Sequence, residues 1–460
     1  MNPPPSEPAD DNPYQPPSDA GEESVGAESD QVSDSQDNAA GEPGKRQPGM
    51  LFIWITLFID ILGIAIVIPV LPGLVRELTG LGPSKASVWY GIIAASYAGM
   101  QFLFAPVVGG LSDRFGRRPI LLASLFGLGV DFIIQGFANS VWLLFVARMI
   151  GGIFGASFTS GNAYIADIST DETRARNFGL VGAAFGLGFI IGPAVGGVLS
   201  DTISLRAPFF LAAGLALVNW LYGFFILPES LPPEKRRKFS IKNFGPLAAF
   251  KTLRRYPFVA GLAIAFLLKA LAQRGMENVF VLFSEFKFEW GGTEVGFFLC
   301  WVGVTAVIVQ GGMVRPTVKR FGERPVLLFA TMISAISFLG YAFADNAWMF
   351  PLIAMVGALG GLAGPTIQSM VTKTVDESEQ GEVQGALVSM QSLTSVFAPI
   401  IFTSGLFRFF TNSERVAIIG DANGDPIIFP GAPFLLGAIL IALAFFVTLI
   451  VFKKHPESDS

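Results

Sequence analysis

Long apolar stretches separated by short polar segments follow one another from residue 51 onward. Twelve of these stretches come close to the roughly 20 residues that a helix needs to cross a bilayer core. We therefore predict an all-α integral membrane protein with twelve transmembrane helices. In chain order the stretches cover approximately residues 51–75, 88–109, 119–138, 141–166, 178–200, 207–227, 257–282, 293–314, 325–344, 348–371, 382–407 and 432–452.

A charged segment, residues 109–122, lies between two of the apolar stretches and holds one carboxylate and three arginines. Charged side chains are costly in hydrocarbon, so this segment is expected to form a short loop at a water-facing surface. Residues 320–328 repeat residues 114–122 at an offset of 206 residues, and the same offset relates two further pairs: Gly179 with Gly385, and Pro193 with Pro399. Three matches in one register predict two related halves, an organisation common in secondary transporters.

The boundary between the halves is a segment rich in lysine and arginine. We predict an N-terminal half at 50–227, a linker at 228–256, a C-terminal half at 257–452 and a short tail at 453–460. Residues 1–49 hold eleven acids against Lys45 and Arg46 and few large apolar side chains. Such a segment cannot bury enough surface to offset its ordering entropy, so we expect it to be disordered. Whether Met1 or Met50 begins the natural chain stays open.

Composition and charge support a membrane protein and give it an orientation. Hydrophobic residues make up 52% of the chain and charged residues 15%, whereas soluble proteins carry about 25% charged residues. If the linker and both termini lie in the cytoplasm, most of the 31 lysines and arginines fall on the cytoplasmic side. The positive-inside rule therefore predicts a multi-pass protein of the inner (plasma) membrane with both termini cytoplasmic.

Several classes of function are disfavoured by what the sequence lacks. Cys300 and His455 are the only residues of their types, so we expect no metal site and no cofactor. No combination of nucleophile and base suggests an enzyme. Outside the acidic tail the net charge is positive, which suits an anionic bilayer and requires no nucleic-acid partner.

Three ionisable residues fall deep within predicted helices: Asp60 in helix 1, Asp131 in helix 3 and Arg148 in helix 4. An ionisable residue inside a membrane is a functional candidate by default, because its cost must be offset. Asp131 and Arg148 are predicted at similar depth, so a pair between them is possible. Such a pair would be either a structural lock between two helices or part of a proton or substrate pathway, and the sequence leaves both open.

Helix 7 carries a second group of charged residues, Lys269, Arg274 and Glu277, together with Gln273. Spacings of four residues place Lys269, Gln273 and Glu277 on one face, which would line a polar cavity. Alternatively, Arg274 and Glu277 mark the outer mouth of the helix and only Lys269 is buried. Further polar candidates for a cavity lining are uncharged, although such groups often only bond helices together: Tyr97, Gln101, Gln135, Asn162 and Gln310.

Helix 5 contains glycine at every fourth position, Gly188, Gly192 and Gly196, with Pro193 and Gly197 among them. The three glycines share one face, so a neighbouring backbone can come close. A proline within a helix removes one backbone hydrogen bond and favours a bend. This face suits a helix that must tilt against a partner.

These motifs resemble those of the major facilitator superfamily over nearly all of residues 50–452. The segment that begins Gly109-x-Leu-x-Asp113 and ends Gly116-Arg117-Arg118 is similar to the family's loop 2–3 signature. Arg148-x-x-x-Gly152 is similar to its helix-4 motif, and the helix-5 run is similar to the motif of proton-coupled antiporters. The chain further resembles tetracycline-resistance efflux proteins in four places: Asp60 to Pro72, Gln101 to Pro106, Asp131, and Ala163 to Asp167.

The resemblance implies two pseudo-symmetric six-helix bundles around a central cavity, with alternating access. It also implies a latch, in which Arg117 pairs with Asp167 and Asp113 faces the N-terminal end of helix 11, where a helix dipole favours an anion. The latch would hold the outward-open state and break for the inward-open one. The chain departs from the exporters it resembles at Ser334 and Ala306, where they usually carry an acidic residue and a histidine.

The function that this implies is a monomeric proton-coupled antiporter that exports a small amphipathic compound, either a drug or a tetracycline-like molecule. Asp60 and Asp131 would carry protons and substrate charge, Arg148 would control them, and the helix-5 motif would allow the halves to rock. Two alternatives stay open. One is a symporter or uniporter of a small nutrient or metabolite, and the other is a non-transporting sensor or scaffold that uses the acidic tail.

Overall fold

The computed structural model describes residues 50–236, 255–376, 379–412 and 428–456, apart from the side chains of residues 50–52, 157, 171 and 175. Within these ranges eleven helices are long and apolar enough to cross a membrane, and a bent pair supplies a twelfth span. The prediction of twelve transmembrane helices is confirmed. In chain order they are α1 (Ile53–Val67 and Leu71–Thr79), α2 (Pro83–Phe115), α3 (Arg117–Gly136), α4 (Val141–Asp167), α5 (Glu172–Thr202), α6 (Ala207–Ile226), α7 (Pro257–Phe288), α8 (Gly292–Phe321), α9 (Glu323–Ala342), α10 (Met349–Thr374), α11 (Gln380–Thr411) and α12 (Ala432–Lys454).

Helix α1 differs from its predicted continuous form over residues 51–75. Its two segments meet at a bend of 42°. Pro69 lies within the break and Pro72 just after it, and a proline cannot donate the backbone hydrogen bond that would continue the first segment. The second segment therefore begins with proline in its first turn, where no intrahelical donor is needed.

The charged segment at 109–122 forms a tighter connection than a loop, because Gly116 alone separates α2 from α3. Its φ angle is 106°, which favours glycine. Gly322 makes the same connection between α8 and α9 with a φ angle of 82°. The repeat found in the sequence thus recurs as a shared backbone geometry.

Helix packing divides the described helices into two groups of six. In the N-terminal group α1 packs against α5 and α6, α2 against α4, and α3 against α4 and α6. In the C-terminal group α12 packs against α7 and α9, and α9 also packs against α10. The groups touch mainly through α5 with α8 and α2 with α11, which the repeat relates to each other. We call these groups the N-terminal and C-terminal bundles.

The two ends of the molecule are named by the residues found there. The end that contains the Gly116 and Gly322 connections carries Arg114, Arg117, Arg320 and Arg324, and we call it the basic end; the opposite end, which carries Asp201 and Trp290, is the far end. Of the predicted domains, residues 1–49 and most of the linker, 237–254, lie outside the described residues.

The two bundles are in close contact at the far end. A Cβ atom at Gly296 of α8 would overlap the carbonyl oxygen of Pro193 in α5, and one at Gly91 of α2 would come within 2.8 Å of the carbonyl oxygen of Pro399 in α11. Pro193 and Pro399 are the prolines that the repeat relates. Each of these two related prolines therefore presents its carbonyl oxygen to a glycine of the opposite bundle.

Helices of the C-terminal bundle depart from regular α geometry near mid-length. Residues Ile308–Met313 of α8 and Pro399–Phe407 of α11 form π-helical turns, and Ala358–Leu362 of α10 forms a 3₁₀ turn. Such irregular turns inside long helices often mark functional sites or hinges.

Candidate functional site

A cavity of about 670 Å³ lies between the two bundles. Asp113 and Arg117 line it at the basic end, and Gln101, Arg274 and Gln391 line it deeper in the molecule. Cavities of this size hold drug-sized ligands. Since the bundles touch at the far end, this cavity is approached from the basic end.

Asp60 and Asp131 are buried within the N-terminal bundle. Their exposed fractions are 6% and 0%. Asp131 accepts a hydrogen bond of 2.7 Å from Nε2 of Gln135, one turn further along α3. Asp60 has no hydrogen bond or ion pair among the side chains that the structure describes. Both carboxylates thus lie inside the membrane-spanning region, away from bulk water.

Arg148 does not form the direct ion pair with Asp131 that the sequence allowed. Its guanidinium lies over the ring of Tyr97, with 4.0 Å from Cζ to the ring centre. Asp131 is still within electrostatic range of Arg148. Asp131, Arg148 and Tyr97 therefore form one electrostatic cluster, and Asp60 is buried on α1 of the same bundle. The cation–π contact, rather than a salt bridge, sets where the guanidinium lies.

Glycines of α4 explain how this cluster is assembled. A Cβ at Gly151 would overlap the carboxylate of Asp131, and a Cβ at Gly152 would overlap the backbone of α2 at Tyr97. Gly155 accepts a hydrogen bond of 2.9 Å from Nε2 of Gln101 through its carbonyl oxygen. Helices α2 and α3 therefore approach α4 closely on two sides, immediately beyond Arg148.

Two buried atoms of the cluster lack hydrogen-bond partners among the described residues: Oδ1 of Asp131 and Nε of Arg148. Leaving a polar atom buried and unpaired costs about 1–3 kcal/mol, and more when the group is charged. A group in this position is suited to change its protonation or its partner during a functional cycle.

The helix-5 motif lies against α1 directly after Asp60. A Cβ at Gly188 would come within 2.7 Å of the Ile61 side chain, and Cβ atoms at Gly192 and Gly196 would overlap Ala65 and the carbonyl oxygen of Ile66. Gly197 points the other way, toward Gly292 of α8. Helix α5 thus lies between α1, which carries Asp60, and α8 of the C-terminal bundle, and its glycines allow close contact with both.

A second cavity, of about 440 Å³, lies within the C-terminal bundle. Lys269, Gln273 and Glu277 of α7 line it along one face, and Gln310 lines it from the π turn of α8. Arg274 pairs with Glu277 at 2.7 Å and lines the inter-bundle cavity. The helix-7 charges therefore line cavities, and Arg274 and Glu277 are more exposed than Lys269.

The latch residues are placed together at the basic end. Nε of Arg117 donates to Asp167 at 3.0 Å, and its Nη1 donates to Asp113 at 2.5 Å. The Arg117–Asp167 pair that the resemblance implied is present in the structure. Asp113 also bonds Arg117, and all three groups belong to the N-terminal bundle. The contact of Asp113 with α11 and the breaking of the latch in the inward-open state stay predictions.

Three predicted cavity residues take other positions. Gln135 is fully buried and bonded to Asp131, and Tyr97 lies beneath Arg148. Asn162 is exposed and is absent from the linings of both cavities. Its neighbour Ala163 lines the inter-bundle cavity, and a rotation of about 100° per residue turns Asn162 away from Ala163.

Two acidic residues have roles that the sequence did not reveal. Glu229 accepts hydrogen bonds from the backbone N–H groups of Arg117 and Arg118 at 2.7 and 3.3 Å, at the start of α3. Asp201 accepts from the N–H groups of Gly292 and Thr293 at 3.1 and 2.7 Å, at the start of α8. Each caps a helix that is distant in sequence, and no local pattern signals such a contact.

A family model and individual relatives place the chain in the same protein family. The family model described as Major Facilitator Superfamily matches residues 53–399 and 316–460. The class C tetracycline resistance protein of Escherichia coli is 40% identical over 361 residues, which cover 78% of this chain and 90% of that protein. The class D protein of Salmonella ordonez is 32% identical over 410 residues, covering 89% and 98%.

Solved structures show the same fold at lower identity. The human organic anion transporter MFSD10 has a TM-score of 0.62 at 22% identity, covering 88% of this chain and 100% of that one. The nucleoside transporter NupG has a TM-score of 0.66 at 14% identity, covering 88% and 99%. The family match, these relatives and the twelve helices in two bundles show that the chain belongs to the major facilitator superfamily of membrane transporters, and within it to the family of the tetracycline resistance proteins.

Proposed function

We propose that this protein is a proton-coupled antiporter that exports a small amphipathic compound from the cytoplasm by alternating access. The observation that carries the proposal is the burial of Asp60 and Asp131 within the N-terminal bundle, with the half-buried Arg148 close to Asp131. These charges lie inside the membrane without a direct ion pair between them. A carboxylate held in this way gains by taking up a proton, which links its charge to the cycle.

The distribution of basic residues supports the direction of transport. The basic end faces the cytoplasm under the positive-inside rule, so both termini are cytoplasmic and the open inter-bundle cavity faces inward. A compound enters this cavity from the cytoplasm. When the bundles rock, the far-end contact opens and protons reach the cluster from outside.

Each half of the chain has its own part in this cycle. Residues 50–227 form the bundle that carries protons, and residues 257–452 form the partner bundle, joined by the linker at 228–256. Helix α5 lets the bundles rock, because its glycine face stays packed against α1 while its opposite side separates from α8. The protein acts as a monomer in the inner (plasma) membrane, and the tails at 1–49 and 453–460 stand outside the cycle.

The names of the relatives suggest tetracyclines, but the cavity walls favour a different compound. Ser334 and Ala306, where the resembled exporters usually carry an acid and a histidine, both line the cavity in the C-terminal bundle. Lys269 lines the same cavity. The side chains that line this cavity are therefore more basic than those at the same positions in the exporters that the chain resembles.

Reconstitution in proteoliposomes with an internal pH dye tests the proposal. The panel contains cationic, neutral and anionic amphipathic drugs, with tetracycline among them, and protein-free liposomes serve as the control. Antiport predicts that a compound added outside drives protons out, so the interior becomes more alkaline. Acidification would indicate symport, and compound uptake without a pH change would indicate uniport; either result overturns the proposal.

A further inference from the structure

The cavity within the C-terminal bundle contains a cation without a counter-ion. Nζ of Lys269 is 3.4 Å from Oγ of Ser334, which in turn donates to the carbonyl oxygen of Ala330 at 2.8 Å. No carboxylate pairs with Lys269 among the side chains that the structure describes. Glu277, on the same cavity wall, is already paired with Arg274. The lysine's charge is therefore available to a ligand.

The rest of the lining suits an amphipathic molecule. Phe266, Met276, Val302 and Phe338 offer apolar surface, and Gln273, Gln310 and Gln391 offer amides. A cavity of about 440 Å³ accommodates a body of one or two aromatic rings. Such a body would lie on the apolar side with its charged group toward Lys269.

Irregular helix turns shape this cavity. Gln310 comes from the π turn of α8, and the 3₁₀ turn of α10 brings Gly360 against Ser334 and Gly361 against Gln310. A Cβ at Gly360 would overlap Oγ of Ser334. The serine that orients Lys269 is thus held from both sides, by Ala330 and by α10. Two of the three irregular turns, those of α8 and α10, therefore border the cavity that contains Lys269.

We propose that Lys269 and Ser334 form an anion subsite, so that the transported compound is an amphipathic organic acid whose carboxylate bonds Lys269. This inference deepens the proposed function and rests on it for the statement that the ligand is transported. The binding part stands on the cavity alone. Gln391 lines both cavities, so the cavity that holds the subsite adjoins the inter-bundle cavity.

Binding of three probes of one shape tests the subsite without any transport step. They are 2-naphthoate, 2-naphthalenemethanol and 2-naphthylmethylammonium, titrated calorimetrically into the purified full chain in nanodiscs, with empty nanodiscs subtracted. The wild type is expected to bind the naphthoate about tenfold or more tighter than the alcohol, since hydrogen bonds to a charged group are strong. Lys269→Gln should remove this preference, and Lys269→Arg should keep most of it.

The matched control is Lys454→Gln, which makes the same change at an exposed position of the basic end. It should bind as the wild type does. Equal binding of the three probes, no binding of the naphthoate, or an unchanged preference in Lys269→Gln would overturn the subsite. Proton coupling is measured separately in proteoliposomes, so the subsite can fail while antiport holds, and antiport can fail while the subsite holds.

Discussion

Arg148 illustrates what sequence reasoning reaches at the scale of one residue. Its depth, and that of Asp60 and Asp131, could be predicted because charged residues are rare within apolar stretches. Its partner could not. The guanidinium lies on Tyr97 because α2 approaches α4 at Gly152, and that approach depends on how the helices pack.

The electrostatic cluster predicts coupling between Asp131 and Arg148 although they share no salt bridge. Asp131→Asn and Arg148→Gln should each lower stability and each reduce transport, because either change leaves the other charge less compensated. The double variant should lose less stability than the sum of the two single-variant losses, and the difference, the coupling energy, should be about 0.5–3 kcal/mol. Thermal unfolding of the four proteins in detergent measures it.

Additive losses of stability would show that the two residues are independent. Exchanging them, as Asp131→Arg with Arg148→Asp, adds a test of function. If the exchange restores nothing and each single neutral variant transports normally, the pair has no part in the cycle.

Individual helices show where the periodic pattern was sufficient and where it was not. The twelve spans and the glycine face of α5 could be predicted from the residues within each stretch, and the structure contains both. The bend in α1 and the π turns of α8 and α11 could not be predicted, because a proline or glycine in a long apolar stretch is compatible with several helix geometries. The helix caps of Glu229 and Asp201 join parts of the chain too far apart for any local motif.

The close glycine contacts at the far end predict what happens when a larger side chain replaces one of these glycines. Gly296→Val places a side chain against the Pro193 carbonyl, where only backbone could yield. Overpacking costs about 1–3 kcal/mol, so the equilibrium should shift toward a far-end-open state by roughly tenfold. Labelling of Ser200→Cys by a membrane-impermeant maleimide, in a Cys300→Ser background, should become correspondingly faster.

Gly214→Val is the matched control, since a Cβ at that position meets nothing within 4 Å. It should leave labelling of the cysteine at 200 at the starting rate. If Gly296→Val labels no faster, or if Gly214→Val accelerates labelling equally, the far-end contact does not control access.

At the scale of the whole molecule, the repeat predicts more than the number of helices. Pro193 and Pro399 are related by sequence, and each presents its carbonyl to a glycine of the opposite bundle. The resemblance at Gly116 predicted which residues form the latch, and the structure bonds Arg117 to both Asp113 and Asp167 within the N-terminal bundle. That the latch breaks in the inward-open state stays a prediction.

Removing the acidic segment at 1–49 distinguishes a transporter from a scaffold that works through this segment. A chain that begins at Met50 should transport as the full chain does, because the proposed cycle uses groups from Asp60 onward. Compound-driven proton movement in proteoliposomes at matched protein density provides the comparison. Loss of transport by the shortened but correctly inserted chain would assign the segment a part in the mechanism.

The most direct test of proton coupling is the Asp60→Asn variant, compared with wild type in proteoliposomes carrying an internal pH dye. The asparagine cannot take up a proton, so compound-driven proton movement should fall at least about tenfold while the protein still inserts and binds compound. Asp345→Asn, an exposed acid at the far end, is the control and should transport normally. Wild-type proton movement by Asp60→Asn would contradict the account.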